Sequence, residues 1–305
     1  MVVGIYFSRS GAHNYPLTVP MYRRAYFELS QELAKLGADM VIVRSPEAYL
    51  GKGRFKNHWV FTPDGELEER AAITVDTVYD KGPGNSLVFD DVPVMNSAFI
   101  NDICVDKYRT AEMFREFSPD TRMVHTPQEY RDVLASWPDD QKVVIKPNDG
   151  FGGEGVRIED AATARDTTIT EQNLPLIIQS YIDTSQGIPG IAEGQHDLRL
   201  MVLNGEIIGG QVRQPAEGSF VANLSQGGSV KVLAHEQIPI AAIEAAQQID
   251  WRFAEHQPRF YAIDLAHSNN RYYLIELNSR PGLSEKARGP EAEYIMKRLA
   301  KTLVA

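Results

Sequence analysis

The chain has 305 residues, of which 43% are hydrophobic and 24% are charged, and its formal net charge is −10. This length can bury a large core, and this composition is typical of a globular protein. The acidic balance argues against a general binder of nucleic acid or anionic membranes. The single Cys104 excludes an intramolecular disulfide and any multi-cysteine metal site. No apolar run approaches about 18 residues, and no basic region precedes the apolar N-terminal run, so we expect a soluble cytoplasmic protein.

The first hundred residues alternate between strand and helix patterns, which predicts an α/β unit. The predicted elements are an opening strand in VVGIYFS, an amphipathic helix in YRRAYFELSQELAKLG and a strand in DMVIVRS. The stretch from Tyr49 to Asp64 is polar and rich in glycine and predicts a hairpin or long loop, and DTVYDKG predicts a further strand. Ser8, Arg9 and Ser10 follow the first strand, where open α/β sheets bind ligands, although they also fit an ordinary loop.

A second unit is expected to begin near Asn101. Helical periodicity is found in DKYRTAEMFREF and PQEYRDVLASW, and strand patterns are found in TRMVH, VVIKP, GVRIED and LPLIIQSYI.

The remaining third of the chain consists mainly of hairpin patterns. The run LRLMVLNGEIIGGQVRQP contains an Asn204-Gly205 turn, and a later hairpin is expected to turn at Ser268-Asn269-Asn270. A helix is expected from about Pro239 to Glu255, and EAEYIMKRLAKTL predicts a closing helix.

The stretch VVIKPNDGFGGEGVRI contains Gly150, Gly152 and Gly155 at the spacing of a dinucleotide-binding fingerprint. That fingerprint needs a helix after the glycines, whereas a strand pattern follows Gly155 here. The Gly-Lys-Ser/Thr of a Walker A loop and the kinase triplets H-R-D and D-F-G are also absent from the sequence. What fits is a hairpin tip whose backbone N–H groups close over phosphates, with Lys146 as a point charge. An ordinary glycine-rich turn remains an alternative for this stretch taken alone.

A second group of polar residues lies in FYAIDLAHSNNRYYLIELNSRPG. A turn centred near Asn270 places Asp264 opposite Glu276, and Asn278 shares a strand face with Glu276. Two carboxylates that face each other repel unless a cation lies between them, and an all-oxygen set favours Mg²⁺ over zinc. A solvated hairpin with coincidental acids is the alternative, but the apolar neighbours of these residues indicate a core strand pair, where unpaired acids are costly.

Together and in this order, these segments resemble the ATP-grasp superfamily, and they are most similar to glutathione synthetases and RimK-type glutamate ligases. The matching segments are DKYRTAEMF, VVIKPNDGFGGEGV, IIQSYI, HDLRLMVLNGE, VRQPAEGSFVANLSQGG and IDLAHSNNRYYLIELNSRPGL. The resemblance implies an ATP-grasp fold of the α/β class, with α+β lobes. It also implies a Rossmann-like pre-ATP-grasp domain over 1–100, a central lid subdomain with the glycine loop over 101–182, and a C-terminal subdomain with the magnesium hairpin over 183–305.

The resemblance also implies a role for each matching residue. Lys107 and Lys146 would bind the ATP phosphates under a mobile loop that contains Gly152, Gly153 and Gly155. The adenine hinge would be formed by Gln179, Ser180, Tyr181 and Ile182. The γ-phosphate and acyl group would be held by Arg199 and Arg213, with Asn223 near the transferred group. Two Mg²⁺ ions, for which Mn²⁺ could substitute, would be bound by Asp264, Glu276 and Asn278.

The implied reaction is an ATP-dependent carboxylate–amine ligation through an acylphosphate, with an amino acid or peptide as substrate and release of ADP and phosphate. Two departures from the relatives concern the substrate. Val221 and Ala222 stand where the relatives have an arginine before Asn223, and Arg280 stands where they have Ser or Thr. We expect Arg280 to reach the acylphosphate region, although it could instead only pair with a nearby acid. A synapsin-like protein that binds ATP without turnover, an ATP-grasp kinase and a homodimer or homotetramer all remain open.

Overall fold

The computed structural model describes residues 1–11, 14–82, 87–150, 153–216, 227–283 and 290–305. Within these ranges three principal sheets follow one another along the chain, and we call them the N-terminal, central and C-terminal sheets. A two-stranded sheet, β3 (Arg54–Phe55) with β6 (Ile73–Thr74), accompanies the first of them.

The N-terminal sheet has six strands in the order β5-β4-β2-β1-β7-β8. Their bounds are β1 Val2–Phe7, β2 Asp39–Arg44, β4 His58–Phe61, β5 Leu67–Arg70, β7 Thr77–Asp80 and β8 Val94–Met95. Strands β2, β1, β7 and β8 are parallel, and the hairpin of β4 and β5 extends the sheet in antiparallel fashion. Helix α1 (Pro20–Lys35) connects β1 to β2 and buries Leu29 and Leu33 in the core on one face.

The central sheet has four antiparallel strands in the order β11-β10-β12-β9. In chain order, the helices and strands between the N-terminal and C-terminal sheets are α2 Ala98–Val105, α3 Lys107–Met113, β9 Thr121–Val124, α4 Pro127–Ala135, β10 Lys142–Pro147, β11 Arg157–Asp160, α5 Ala161–Asp166 and β12 Leu176–Ser180. Val143 and Ile145 of β10 face a core formed with α4 and α5, so Lys146, with the opposite parity, points to the other face of the sheet.

The C-terminal sheet has five antiparallel strands in the order β15-β14-β13-β16-β17. The elements of this region are β13 Asp197–Leu203, β14 Glu206–Gln214, β15 Ser229–Leu233, α6 Ile240–Trp251, β16 Phe260–Ser268, β17 Arg271–Asn278 and α7 Pro290–Leu303. Two-residue turns join β13 to β14 and β16 to β17. Asn269 and Asn270 both have positive φ, 49° and 61°, as a tight hairpin turn of this kind requires.

The closing helix α7 ties the N-terminal and C-terminal sheets together. Leu299 and Leu303 of α7 share one buried cluster with Leu33 of α1 and with Met201 and Phe260 of the C-terminal sheet. The carboxyl ends of β1 and β7 thereby face the carboxyl end of β17, away from the β16–β17 turn. A cavity lies between them.

The structure confirms the mixed α/β class, and the hairpins at Asn204-Gly205 and Asn269-Asn270 form as expected. Several elements go beyond the sequence-based expectations. Helices α2 and α5 and strands β5, β6, β8 and β15 form where the sequence pattern indicates no element. The stretch from Tyr49 to Asp64, for which a hairpin or long loop is expected, contains strands β3 and β4, which pair with β6 and with β2 and β5. None of the described helices is long and apolar enough to cross a membrane.

Candidate active site

All three principal sheets contribute residues to one cavity of about 1080 Å³. The following residues singled out from the sequence line it: Lys107, Lys146, Gly153, Gln179, Ser180, Tyr181, Ile182, Arg199, Arg213, Asp264, Glu276, Asn278 and Arg280. Gly152 and Asn223 lie outside the described residues. The cavity is large enough for a nucleotide together with a small substrate.

Lys146 lies near the end of β10 and is only 7% exposed. Burial lowers the pKa of Lys146 to about 8, although the negative charge of Glu276 opposes this shift. The ammonium group forms no ion pair with an acid among the residues that the structure describes, so its charge is not neutralised by the protein at close range. A buried cation that faces a cavity favours an anionic ligand such as a phosphate.

Lys107 begins helix α3 and lies against the start of the glycine loop. Its Nζ donates a hydrogen bond to the carbonyl of Gly150, and burial lowers the pKa of Lys107. The backbone N–H of Tyr108 donates to Asn148 Oδ1 (2.9 Å), while Asn148 Nδ2 donates to Asp106 Oδ1 (3.0 Å). The first residues of the loop are therefore fastened to the N-terminal turn of α3.

The described part of the glycine loop uses two left-handed residues. Gly153 and Gly155 have φ values of 76° and 71°, which side chains with a Cβ rarely adopt. A Cβ on Gly155 would also lie 3.1 Å from Pro147 Cγ. Gly153 lines the cavity, whereas Gly155 does not and instead packs beside Pro147. The strand β11 that follows the loop confirms that no helix stands behind these glycines.

The segment Gln179 to Ile182 crosses the cavity at the end of β12. The backbone N–H groups of Ser180 and Tyr181 donate to the carbonyls of Asp120 (2.9 Å) and Lys142 (3.0 Å). The buried side chain of Gln179 donates through Nε2 to Thr121 Oγ1 (2.8 Å). These bonds hold the segment rigidly between neighbouring strands.

Strands β16 and β17 place Asp264 directly opposite Glu276, as the sequence predicts. Ser268 pairs with Arg271 across the turn, and regular pairing from there would put Asp264 opposite Ile275. An irregularity between Asp264 and Leu265 shifts the register by one residue and puts Asp264 opposite Glu276 instead. Bulges of this kind commonly redirect side chains beside functional sites.

Two arginines bind Asp264. Arg199 donates through Nε and Nη2 to the two carboxylate oxygens, both at 2.7 Å, and Arg213 Nη2 donates to Oδ2 at 2.7 Å. Arg213 also makes two hydrogen bonds of 2.6 Å to Asp197. Burial alone would raise the pKa of Asp264, but the guanidinium groups of Arg199 and Arg213 hold it at about 2. Burial raises the pKa of Asp197, because the charge of Arg213 offsets the effect of burial only in part.

The oxygen atoms of this hairpin fit a hard divalent cation. Glu276 lines the cavity, and no ion pair to Glu276 is found within the described chain. Asp264 Oδ1 accepts one hydrogen bond, so it retains a lone pair, and Asn278 Oδ1 accepts one from the backbone N–H of Arg280 (2.8 Å). No group of three or more His, Cys, Asp or Glu side chains forms a metal site among the described residues. A magnesium site here would therefore depend on two acids, one amide and oxygens of the ligand.

Arg280 lines the cavity and also pairs with an acid. Its Nη2 lies 3.1 Å from Asp80 Oδ2 at the end of β7, and both side chains are largely buried. Burial raises the pKa of Asp80, and the charge of Arg280 opposes that effect. The expectation that Arg280 reaches the acylphosphate region and the alternative of a pairing role are thus both compatible with its position.

Sequence reasoning missed three residues of this region. Asp197 supports Arg213, Asn148 docks the glycine loop, and Lys81 lines the cavity from the end of β7. The matching segment HDLRLMVLNGE contains Asp197 and the loop sequence contains Asn148, but the partners of both residues depend on contacts between distant segments. A lysine directly after the predicted strand in DTVYDKG was the available signal for Lys81.

Comparisons with known proteins identify the family and the fold. Residues 106–301 match the model of the RimK-like ATP-grasp domain. A probable alpha-L-glutamate ligase from Legionella pneumophila is 29% identical over 207 residues, which cover 63% of this chain and 63% of that protein. A second protein of that name from Marinomonas sp. is 28% identical, covering 65% and 64% of the two chains. The match thus spans slightly less than two thirds of the length of these relatives.

Solved structures share the fold at low sequence identity. The RimK domain ATP-grasp protein of Sphaerobacter thermophilus superimposes with a TM-score of 0.61 at 15% identity, with full coverage of both chains. D-cycloserine synthetase gives a TM-score of 0.67 at 14% identity, covering 99% of this chain and 100% of the other. D-alanine–D-alanine ligase from Bacillus anthracis, solved with ATP, gives 0.61 at 14%, covering 100% and 96%. The family match and the shared fold confirm the resemblance, and the chain belongs to the RimK-like ATP-grasp family.

Proposed function

We propose that this chain is an ATP- and Mg²⁺-dependent ligase that joins a carboxylate to an amine through an acylphosphate and releases ADP and phosphate. The observation that carries the proposal is that three groups of charged side chains line one cavity. Buried Lys146, the hairpin acids Asp264 and Glu276, and the two arginines beside Asp264 all line it. Cations that bind phosphates and oxygens that bind a divalent ion are what phosphoryl transfer to a carboxylate requires.

ATP would lie between the central and C-terminal sheets. Lys146 and Lys107 would neutralise its phosphates under the glycine loop, to which Gly152 and Gly153 belong. The N–H groups of Ser180 and Tyr181 are already bonded within the sheet, so we assign reading of the adenine edge to the backbone of Ile182. Gln179 would hold this hinge through its bond to Thr121.

The substrate carboxylate would attack the γ-phosphorus, forming a carboxyl O–P bond while the bond to the leaving ADP oxygen breaks. Arg199 and Arg213 would hold the transferred phosphoryl and acyl groups, with Asn223 beside them. An amine would then attack the activated carbonyl carbon and expel phosphate, after losing a proton. Glu276, Asp264 and Asn278 would hold Mg²⁺, which would neutralise charge at the phosphates. The family pattern implies two such ions, and Mn²⁺ could substitute for them. No protein nucleophile takes part.

The substrates are proposed to be amino acids or short peptides. The relatives in Legionella and Marinomonas are named as probable alpha-L-glutamate ligases. An amino acid, as the carboxylate or as the amine substrate, would fit beside ATP in the cavity. We further propose the three-part division at 1–100, 101–182 and 183–305, a cytoplasmic location and assembly as a dimer or tetramer.

The test is a ligation screen with the purified chain, ATP, MgCl₂ and a panel of amino acids and dipeptides. The expected result is ADP release that requires both an acid and an amine, with a product whose mass is their sum less one water. A phosphorylated product without an amide would instead indicate a kinase. Nucleotide binding without ADP release across the whole panel would indicate a binding protein, and either outcome would overturn the ligase proposal. When a Lys146→Met variant is included in the screen, Lys142→Met is its matched control. Lys142 is exposed on the same strand as Lys146 and does not line the cavity.

A further inference from the structure

The N-terminal sheet contributes a second part of the cavity, which the ATP site does not use. In the strand order β2-β1-β7, the chain leaves β1 towards β2 on one side, while β7 lies on the other. The crevice beyond the carboxyl ends of β1 and β7 is thus a switch point of an open parallel sheet, where such sheets bind ligands. Phe7, Ser8 and Arg9 at the end of β1 and Lys81 at the end of β7 line the cavity there.

Lys81 brings a positive charge into this crevice. Its Nζ donates to the carbonyl of Pro281 (2.8 Å) and to the hydroxyl of Tyr79 (3.3 Å), and among the described residues no carboxylate lies within ion-pair distance of it. The adjacent Asp80 pairs with Arg280 instead. The Asp80–Arg280 pair is close to neutral, so a protonated Lys81 is an excess cation.

The surroundings of Lys81 disfavour its charge while the crevice is empty of anions. Part of the side chain faces the cavity, but burial of the ammonium group and the positive charge of Arg280 lower the pKa of Lys81 to about 7, against the opposing effect of Asp80. The phenols of Tyr79 and Tyr26 are also close, and burial raises their pKa values, so both are neutral. On the side of β1, the guanidinium group of Arg44 lies 5.0 Å from the centroid of the Phe7 ring and adds positive charge to this region. An anion that binds at Lys81 would therefore restore its proton.

An aromatic wall lies next to this lysine. Phe7 and Tyr26 pack edge to face with ring centroids 5.3 Å apart, and Tyr15 and Tyr22 do so at 5.9 Å; all four line the cavity. Tyr22 lies beside Gly282, one residue after the carbonyl that binds Lys81. A cation and four aromatic rings that line one cavity match a ligand that has both an anionic group and an apolar group.

We propose that Lys81 binds a non-reacting carboxylate of the substrate, an amino acid or short peptide whose aromatic or large apolar side chain packs on Phe7 and Tyr22. This inference rests on the proposed ligase function and deepens it, because it names the group that is recognised but not activated. Lys81 would make the enzyme prefer a free acid over the corresponding amide. Binding of the acid would be accompanied by proton uptake above pH 7 and would weaken as the pH rises from 6 to 8.

Direct binding of three small probes to the full chain tests this without any ligation. The probes are N-acetyl-L-phenylalanine, its amide, and N-acetylglycine, measured by calorimetry at pH 8 in two buffers of different ionisation enthalpy. The wild type is expected to bind N-acetylphenylalanine about tenfold more tightly than either the amide or N-acetylglycine, which lack the charge and the ring respectively. It should also take up close to one proton with the acid, as linkage requires for a group of pKa about 7.

The variants separate a binding role from a structural one. Lys81→Met is expected to lose about tenfold in affinity for the acid, to bind the amide as before and to take up no proton. Lys81→Arg should keep the preference for the acid without proton uptake, and Lys35→Met, an exposed lysine on α1, should behave as the wild type. If the wild type shows no preference for the acid, or if Lys81→Met weakens acid and amide equally, the proposal is overturned. A negative ligation panel with these binding results intact would overturn the ligase function only.

Discussion

Asp264 and Glu276 lie directly opposite each other on neighbouring strands, yet only Asp264 is bound by arginines among the described residues. The register shift at Asp264 creates this pairing, and the two carboxylates then have different neighbours. Asp264 anchors Arg199 and Arg213 and keeps one lone pair on Oδ1, whereas Glu276 faces the cavity with Lys146 and Lys107 in its field. We therefore expect Glu276 to dominate metal binding and Asp264 to combine metal binding with positioning of the arginines.

Glu276→Gln is expected to raise the Mg²⁺ concentration needed for half-maximal ATP binding by at least about tenfold, because it removes a charged oxygen ligand. The measurement is a magnesium titration of nucleotide binding at fixed ATP. Glu293→Gln serves as the control, since Glu293 is exposed on α7 and pairs with Lys297. An unchanged magnesium requirement in Glu276→Gln would remove this residue from the metal site.

Asp264→Asn is expected to lower the free energy of unfolding by about 3–5 kcal/mol, because two buried arginines lose a charged partner. Urea unfolding measures this, with Asp139→Asn as a control at an exposed ion pair that should cost less than about 1 kcal/mol. Because the arginines hold the pKa of Asp264 at about 2, its contribution is complete above the unfolded pKa of about 4 and is lost as the pH falls towards 2. The difference between wild type and variant should therefore shrink below about pH 4, and a difference that grows there would contradict the ion-pair account.

The turn at Asn269-Asn270 is expected to depend on the left-handed conformation of its residues. Asn270→Gly should change the free energy of unfolding by less than about 0.5 kcal/mol, whereas Asn270→Val should cost about 1–2 kcal/mol, since a β-branched residue is strained at a φ of 61°. Both variants are compared by urea unfolding. Equal stability of the two would show that this turn does not constrain the hairpin.

A double-variant cycle separates the two roles considered for Arg280. Arg280→Ala leaves Asp80 buried without its partner, so we expect a loss of about 3–5 kcal/mol in stability together with a loss of turnover. Asp80→Asn in the same chain should recover most of the stability, but turnover in the ADP-release assay should remain at least about tenfold below wild type. Recovery of turnover along with stability would show that Arg280 only pairs with Asp80.

Local patterns were sufficient to predict many of the strands and helices and the pairing within one hairpin. Alternation in IDLAHSNNRYYLIELN predicts a hairpin with Asp264 and Glu276 opposite each other, and the structure confirms this. The geometry that produces this pairing differs in part from the expected one. The turn is centred between Asn269 and Asn270 rather than on Asn270, and the register shift compensates for the half-residue difference. A bulge depends on packing around the strand and leaves little trace in a hydrophobic pattern.

The contacts between distant segments could not be predicted in the same way. Asp80 and Arg280 are 200 residues apart, and they meet because α7 packs the N-terminal sheet against the C-terminal sheet. Likewise, the sequence placed Arg199 and Arg213 near a transferred phosphate only through family resemblance. That Asp264 binds both of them follows from the pairing of β13 with β14 and β16, which a single sequence does not reveal.

The central claim is that the cavity binds the phosphates of ATP through a buried lysine. Calorimetric titration of Lys146→Met with ATP and MgCl₂ tests it most directly, beside Lys142→Met, which alters an exposed lysine on the same strand. We predict that Lys146→Met loses about 10- to 100-fold in affinity, as expected for removal of a charge-assisted hydrogen bond, while Lys142→Met binds ATP as the wild type does. Unaltered ATP affinity in a folded Lys146→Met protein would contradict the account.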